Sequence, residues 1–203
     1  MSLSRTRTAA LALAVAAATT LTTAGLAAPA QAAGHRALSR FDDGSFESPK
    51  VPAGNFTELN AGQSIGPWQI TGGSVDLIGA GFWQAAEGDQ SIDLNGADSG
   101  TIAQTFTTVP GTTYSVTYAL AGNPGGGPAV RTGKALIDGQ DFQDFSFDVT
   151  GKTRAAMGYV GRQFSFVAYN SSTTLTFQST VGGAFGPVLD NVQVKECKPC
   201  CGS

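Results

Sequence analysis

Few residues in this chain are equipped for covalent chemistry. Nucleophilic catalysis of the Ser/His/Asp or Cys/His kind needs a positioned imidazole, and the one histidine, His35, lies in a short polar stretch near the N-terminal end. Cys197, Cys200 and Cys201 all fall within the last seven residues, too late to cross-link a core. Cys197-x-x-Cys200 is half of a zinc site without a second pair. A local disulfide that leaves one thiol for pairing with another chain, as a Cys-linked oligomer, is the other reading in an oxidising compartment.

Carboxylates remain. Glu47, Glu58, Glu87, Asp76, Asp89 and Asp93 supply what a two-carboxylate glycosidase needs, so composition leaves that class open. They also supply hard oxygen ligands for calcium. Asp190 shares its strand phase with Val188, Val192 and Val194, and a carboxylate on an apolar face must be paired or bound to a cation. Glu47 and Asp43 are the candidate partners. A β-bulge at Asp190, or hydrogen bonds to backbone amides, would serve instead. For sugar recognition, an aromatic platform covers the apolar C–H face of a pyranose while amides and carboxylates read the hydroxyls. Phe82, Trp83 and Gln84 lie in a glycine-framed loop with Glu87 and Asp89 beyond, which makes Trp83 the candidate platform. Asp76 and Asp93 are hydrogen-bonding candidates. Trp83 as core filler, and the aspartates as caps for backbone amides, are the bland alternatives. Tyr114 and Tyr118 fall on one strand face and are expected in the core.

These side chains must be positioned by strands. Residues 88–124 carry three alternating segments with a turn signal at each junction: Ile92 and Leu94, then Ile102 and Phe106, then Tyr114, Val116, Tyr118 and Leu120. They read as consecutive, adjacent antiparallel strands. Trp68 and Ile70 share an inward face, and Gln104 falls between Ile102 and Phe106 on another, where its amide must find partners. Asp138-Gly139 is a hairpin signal. With segments around Phe145, Phe164, Leu175 and Val188, about ten short strands and no amphipathic helix are expected, which is the pattern of an all-β sandwich or jelly roll.

Arg5 and Arg7, the apolar run over residues 9–18 and the small-x-small Ala30-Gln31-Ala32 have the form of a secretory signal peptide over residues 1–32. Cleavage there leaves 171 of the 203 residues, one domain's worth, as a short tail (33–38), a sandwich (39–195) and a Cys-bearing tail (196–203). Loss of both arginines takes the formal charge from −3 to −5. That balance excludes a nucleic-acid partner, which needs a basic footprint. No stretch approaches the roughly 20 apolar residues of a membrane span.

GSFESP from Gly44, PWQITGGSVDLIG from Pro67, FWQAAEGDQSIDLNG from Phe82 and GPVLDNVQV from Gly186 follow one another in order. Together they resemble the choice-of-anchor C proteins of bacteria and the plant cell-wall family known as domain of unknown function 642. Asp43 stands where the family pattern has an Asn. The resemblance implies a single jelly-roll β-sandwich similar to galactose-binding domains, extracellular, with cell-wall polysaccharide as ligand. It also implies a structural Ca2+ near Glu47 and Asp190, to which the residues themselves add Asp43 as a weaker third candidate. The expected function is a secreted carbohydrate-binding module without catalysis. A cell-surface adhesive protein and a glycan-cleaving enzyme are the alternatives.

Overall fold

The computed structural model describes residues 40–197, all within one compact unit, and among them twelve strands and no helix. The strands form two six-stranded sheets. The first runs β1 (Phe56–Asn60), β4 (Ser74–Ile78), β5 (Ser91–Asp93), β12 (Pro187–Glu196), β7 (Thr113–Gly122) and β10 (Val160–Val167). The second runs β2 (Ser64–Ile65), β3 (Trp68–Gly72), β6 (Thr101–Thr107), β11 (Ser172–Ser179), β8 (Val130–Ile137) and β9 (Gln140–Asp148). Every pairing is antiparallel. This is the all-β jelly-roll sandwich expected from the alternation.

The core follows from period two. Tyr114, Val116, Tyr118 and Leu120 of β7 are all buried, as are Leu175 and Phe177 of β11. Tyr118 and Phe177 meet across the two sheets with ring centroids 5.0 Å apart, and Trp68 packs 6.2 Å from Phe177. Buried Gln104 closes a two-way clasp with the backbone of Asp42, its Oε1 accepting the N–H and its amide donating to the carbonyl, each at 2.9 Å. That clasp ties the first described residues to β6. Asp138 and Gly139 both take positive φ, 48° and 80°, in the hairpin joining β8 and β9.

One expectation is overturned. The three strands of residues 88–124 are not neighbours: β5 pairs with β4 and β12, β6 belongs to the other sheet, and β7 returns to the first beside β12 and β10. The links at 94–100 and 108–112 cross between sheets instead of folding back. At the first link Asn95 is buried, not a hairpin tip. Its amide donates to the carbonyls of Val181 and Gly183, and its own N–H goes to Asp93. Those bonds carry the chain over the sandwich end.

At that same end Arg131 is fully buried, and among the described residues no carboxylate is bonded to it. Its guanidinium and Nε donate to the carbonyls of Asn123, Gly125, Gly126 and Pro128, so the glycine-rich segment 123–128 is wound around one side chain. The ring of Phe185 lies on Gly125 and Gly126, where an added Cβ would meet it at 2.5 and 2.9 Å. Removing the guanidinium strands several acceptors at once, each costing about 1–3 kcal/mol if left unmet. Arg131→Met should therefore lose about 3–5 kcal/mol, read as a fall of roughly 10 °C in Tm by thermal denaturation.

Candidate functional site

The outer face of the first sheet collects most of the chemistry-bearing side chains. Register places Glu58 opposite Asp76 and Asp76 opposite Asp93, so three carboxylates form a row across β1, β4 and β5. The next row on that face is Phe56, Ile78 and Ser91. The opposite face carries Leu59, Val75, Leu77 and Ile92, all in the core. Alternation along FTELN and SVDLI thus splits these two strands into an apolar face and a carboxylate-bearing one.

The row grades from wet to dry. Glu58 is exposed at the edge strand, with Oε1 taking the N–H of Ala97 at 3.3 Å. Asp76 is half-buried, and its Oδ1 is buried without a hydrogen-bond partner. Burial, then the charge of Glu58, pushes its pKa up to about 6. Asp93 is fully buried and well bonded, to Nδ2 of Asn123 at 2.7 Å and to the N–H groups of Asn95 and Gly186 at 2.9 and 3.1 Å. Burial nonetheless lifts it to about 7, with Asp76 adding to the rise. Asp93 therefore locks two loops to the sheet centre, and Asp76 keeps an unspent acceptor.

Residues 79–90 fold over the other end of this face. Trp83 is 5% exposed, and its Nε1 donates to Oγ of Ser91 at 2.8 Å. It is not the exposed platform expected of it, because the loop it belongs to closes down on the sheet and spends the indole as its own core. Phe82 is half-buried between Phe56 and Trp83, with centroids 5.5 and 5.4 Å away, and the Arg154 guanidinium stands 4.3 Å over its ring. Oε1 of Gln84 accepts the N–H of Met157, and its backbone N–H reaches the carbonyl of Arg154. Gln84 thus stitches this loop to the segment after β9. The large exposed aromatic here is Phe56, at 50%. Sequence reasoning passed over it, although the alternation in FTELN puts it in phase with Glu58.

The expected calcium ligands have other duties. A β-bulge follows Asp190, where Asn191 takes φ 48°, so Asp190 shares a face with Val188 but not with Val194. Asp190 points outward yet is fully buried, accepting the N–H groups of Ala86 and Glu87 on Oδ2 at 2.7 and 2.9 Å and that of Asn191 on Oδ1. Glu47 accepts the next amides of the same loop, Asp89 and Gln90, and pairs with Lys50. Burial works against its charge, but Lys50 and those amides outweigh it and hold its carboxyl below the usual range. Asp43 caps the N–H of Glu47 and leaves Oδ2 buried without a partner. Among the described residues no three acidic, His or Cys side chains come together as a metal-holding group. Glu47 and Asp190 each direct one oxygen at backbone amides of the 79–90 loop, while Oδ2 of Asp43 has no partner among the described residues. Cys197 is exposed and free, while Cys200, Cys201, His35 and the leader lie outside the described residues.

Residues 39–195 match the family described as protein of unknown function (DUF642). The chain belongs to this family. Halomucin of Haloquadratum walsbyi (strain DSM 16790 / HBSQ001) is 30% identical to this DUF642 chain over 161 residues, which are 76% of the chain and 2% of that protein. The chain thus spans a small fraction of that relative's length. Among solved structures, the CBM35 from Paenibacillus barcinonensis is 17% identical, with 68% of this chain and 98% of that one covered at a TM-score of 0.44. A family 35 carbohydrate binding module from Clostridium thermocellum is 15% identical, with 70% and 99% covered at 0.47. TmCBM61 in complex with β-1,4-galactotriose is 10% identical, with 78% and 99% covered at 0.47.

Two measurements check this geometry in the DUF642 chain. Trp83→Ala removes a core indole and should cost about 3–5 kcal/mol in denaturant unfolding. For pH, Asp76, Asp190 and Asp93 have folded pKa values raised to about 6, 6 and 7. Their contribution is complete below the unfolded value of about 3.9 and is lost as pH rises through 6–7. Glu47 is lowered and acts in the opposite sense, its contribution lost as pH falls through its folded value. Tm should accordingly rise by a few degrees between pH 8 and about 4 and fall again as pH drops through the lowered folded value of Glu47. Asp76→Asn should flatten the upper limb in a scanning-fluorimetry series.

Proposed function

We propose that this protein is a non-catalytic carbohydrate-binding module that holds a glycan against the outer face of its first sheet at the β1 edge. The observation that carries the reading is the half-exposed ring of Phe56, opposite Ile78 and two residues along the edge strand from the exposed carboxylate of Glu58, with half-buried Asp76 on the diagonal. An aromatic ring held on a strand gives the C–H face of a pyranose a flat apolar surface. Carboxylate acceptors about one strand repeat away, roughly 7 Å, then reach its hydroxyl protons. Phe82 behind Phe56, fixed by the Trp83 ring and the Arg154 guanidinium, keeps that platform from collapsing. The solved carbohydrate-binding modules reported above are sandwiches of related outline. The leader-like pattern of residues 1–32 supports a module that works outside the cell, on a cell-wall or matrix polysaccharide.

Phe56→Ala should abolish retention on the polysaccharide the native protein binds, in affinity electrophoresis or pull-down across an insoluble glycan panel, with Tm lowered by less than about 2 °C because the ring is half in water. Glu58→Gln should weaken binding without abolishing it. Release of new reducing ends by the native protein would instead mark Glu58 and Asp76 as a cleaving pair. Retention unaffected by Phe56→Ala would move the site off this face.

A further inference from the structure

At one end of the sandwich the chain ends of the described region meet over a cavity of about 510 Å³. Phe41, Phe106, Val109, Tyr114 and Val194 give it an apolar lining, and Arg40, Lys195 and Glu196 line it as well. Its size falls within the usual range for small-molecule sites, about 300–1,000 Å³. The rings are well fixed: Phe41 packs edge-on against Phe106 and Trp68 at 5.5 and 5.7 Å, and Tyr114 stacks on Phe166 at 5.5 Å with an 18° interplanar angle. The Tyr114 hydroxyl accepts the N–H of Val109 at 3.0 Å and donates to Glu196 at 3.4 Å, longer than a strong bond.

The charge around this cavity has the opposite sign to the chain as a whole. The full chain carries a formal −3, whereas the lining holds two cations and one carboxylate. Arg40 and Lys195 are exposed, and among the described residues neither has a carboxylate within ion-pair distance. Edge-on aromatic rings inside and unpaired cations around them complement a flat apolar body carrying one negative group.

We infer that this cavity binds a small aromatic carboxylate, its ring against Phe41 and Tyr114 and its carboxylate between Arg40 and Lys195. The ligand class is distinct from the glycan of the β1 edge, and the two sites are separate on the molecule. The Arg40 and Lys195 contacts supply charge selection, and the rings supply the apolar contact.

Trp68, one ring removed from Phe41, provides the signal. Full-length protein is titrated with 4-hydroxycinnamate and, separately, with its uncharged methyl ester, following tryptophan fluorescence and confirming by calorimetry. Saturable binding of the acid, at least tenfold tighter than the ester, is the expected result. Lys195→Glu, an exposed change that leaves the core untouched, should erase that preference, and Phe56→Ala should leave it intact. Equal affinity for acid and ester overturns the inference, as does a preference that survives Lys195→Glu. No saturable binding up to millimolar acid also overturns it, including the case in which the chain's own ends fill the cavity. Loss of aromatic-acid binding in Phe56→Ala would mean that the signal came from the glycan face.

Discussion

Two carboxylates without access to water, Asp93 and Asp190, set the terms for the rest of this molecule. A buried charge is tolerable only when donors surround it. Here the donors are mostly backbone amides, those of Asn95 and Gly186 with the Asn123 side chain for Asp93, and those of Ala86, Glu87 and Asn191 for Asp190. The loops have definite courses because those bonds must be made. Segment 79–90 lies over the outer face of the first sheet since its amides go to Asp190 and Glu47, and that covering removes Trp83 from solvent. The same pull toward the sheet leaves Phe56 at the uncovered edge. A fold usually described by its apolar core is in this case shaped, on its functional side, by where acceptors need protons.

What the sequence made legible was local. Trp68, Gln104 and the Asp138-Gly139 hairpin were all readable because period-two phase and positive-φ turn chemistry are properties of neighbouring residues. The membership of β5, β6 and β7 in alternate sheets was not readable, since a turn signal such as Asn95-Gly96 does not say whether the chain folds back or crosses over. That choice is made by Val181 and Gly183, more than eighty residues away. The phase of Asp190 failed for a related reason. One residue at positive φ, Asn191, resets the alternation, and nothing in LDNVQV marks the reset as different from an ordinary strand.

The candidate site was half visible. Asp76, Asp93 and Phe82 do come together on or over one face, but the platform and the caps exchanged places. An aromatic beside glycines in a loop looks exposed by composition, whereas exposure depends on whether the loop has a surface to lie on. Phe56, on an edge strand with nothing beyond it, has none above it, and its phase with Glu58 was the available clue. Arg154 had no such clue, since its place over Phe82 depends on the Gln84 stitch to Met157.

The strand order has a consequence for when this chain becomes a protein. In the first sheet β12 lies between β5 and β7, and in the second β11 lies between β6 and β8. The last two of the described strands are thus interior partners, each supplying hydrogen bonds to strands far earlier in the chain. Until they arrive, both sheets are split down the middle with open edges, and no earlier half can close a core. The central pairings of both sheets are distant in sequence, the slow regime of folding. Closure of both sheets therefore waits on β11 and β12, whatever the earlier strands have already formed.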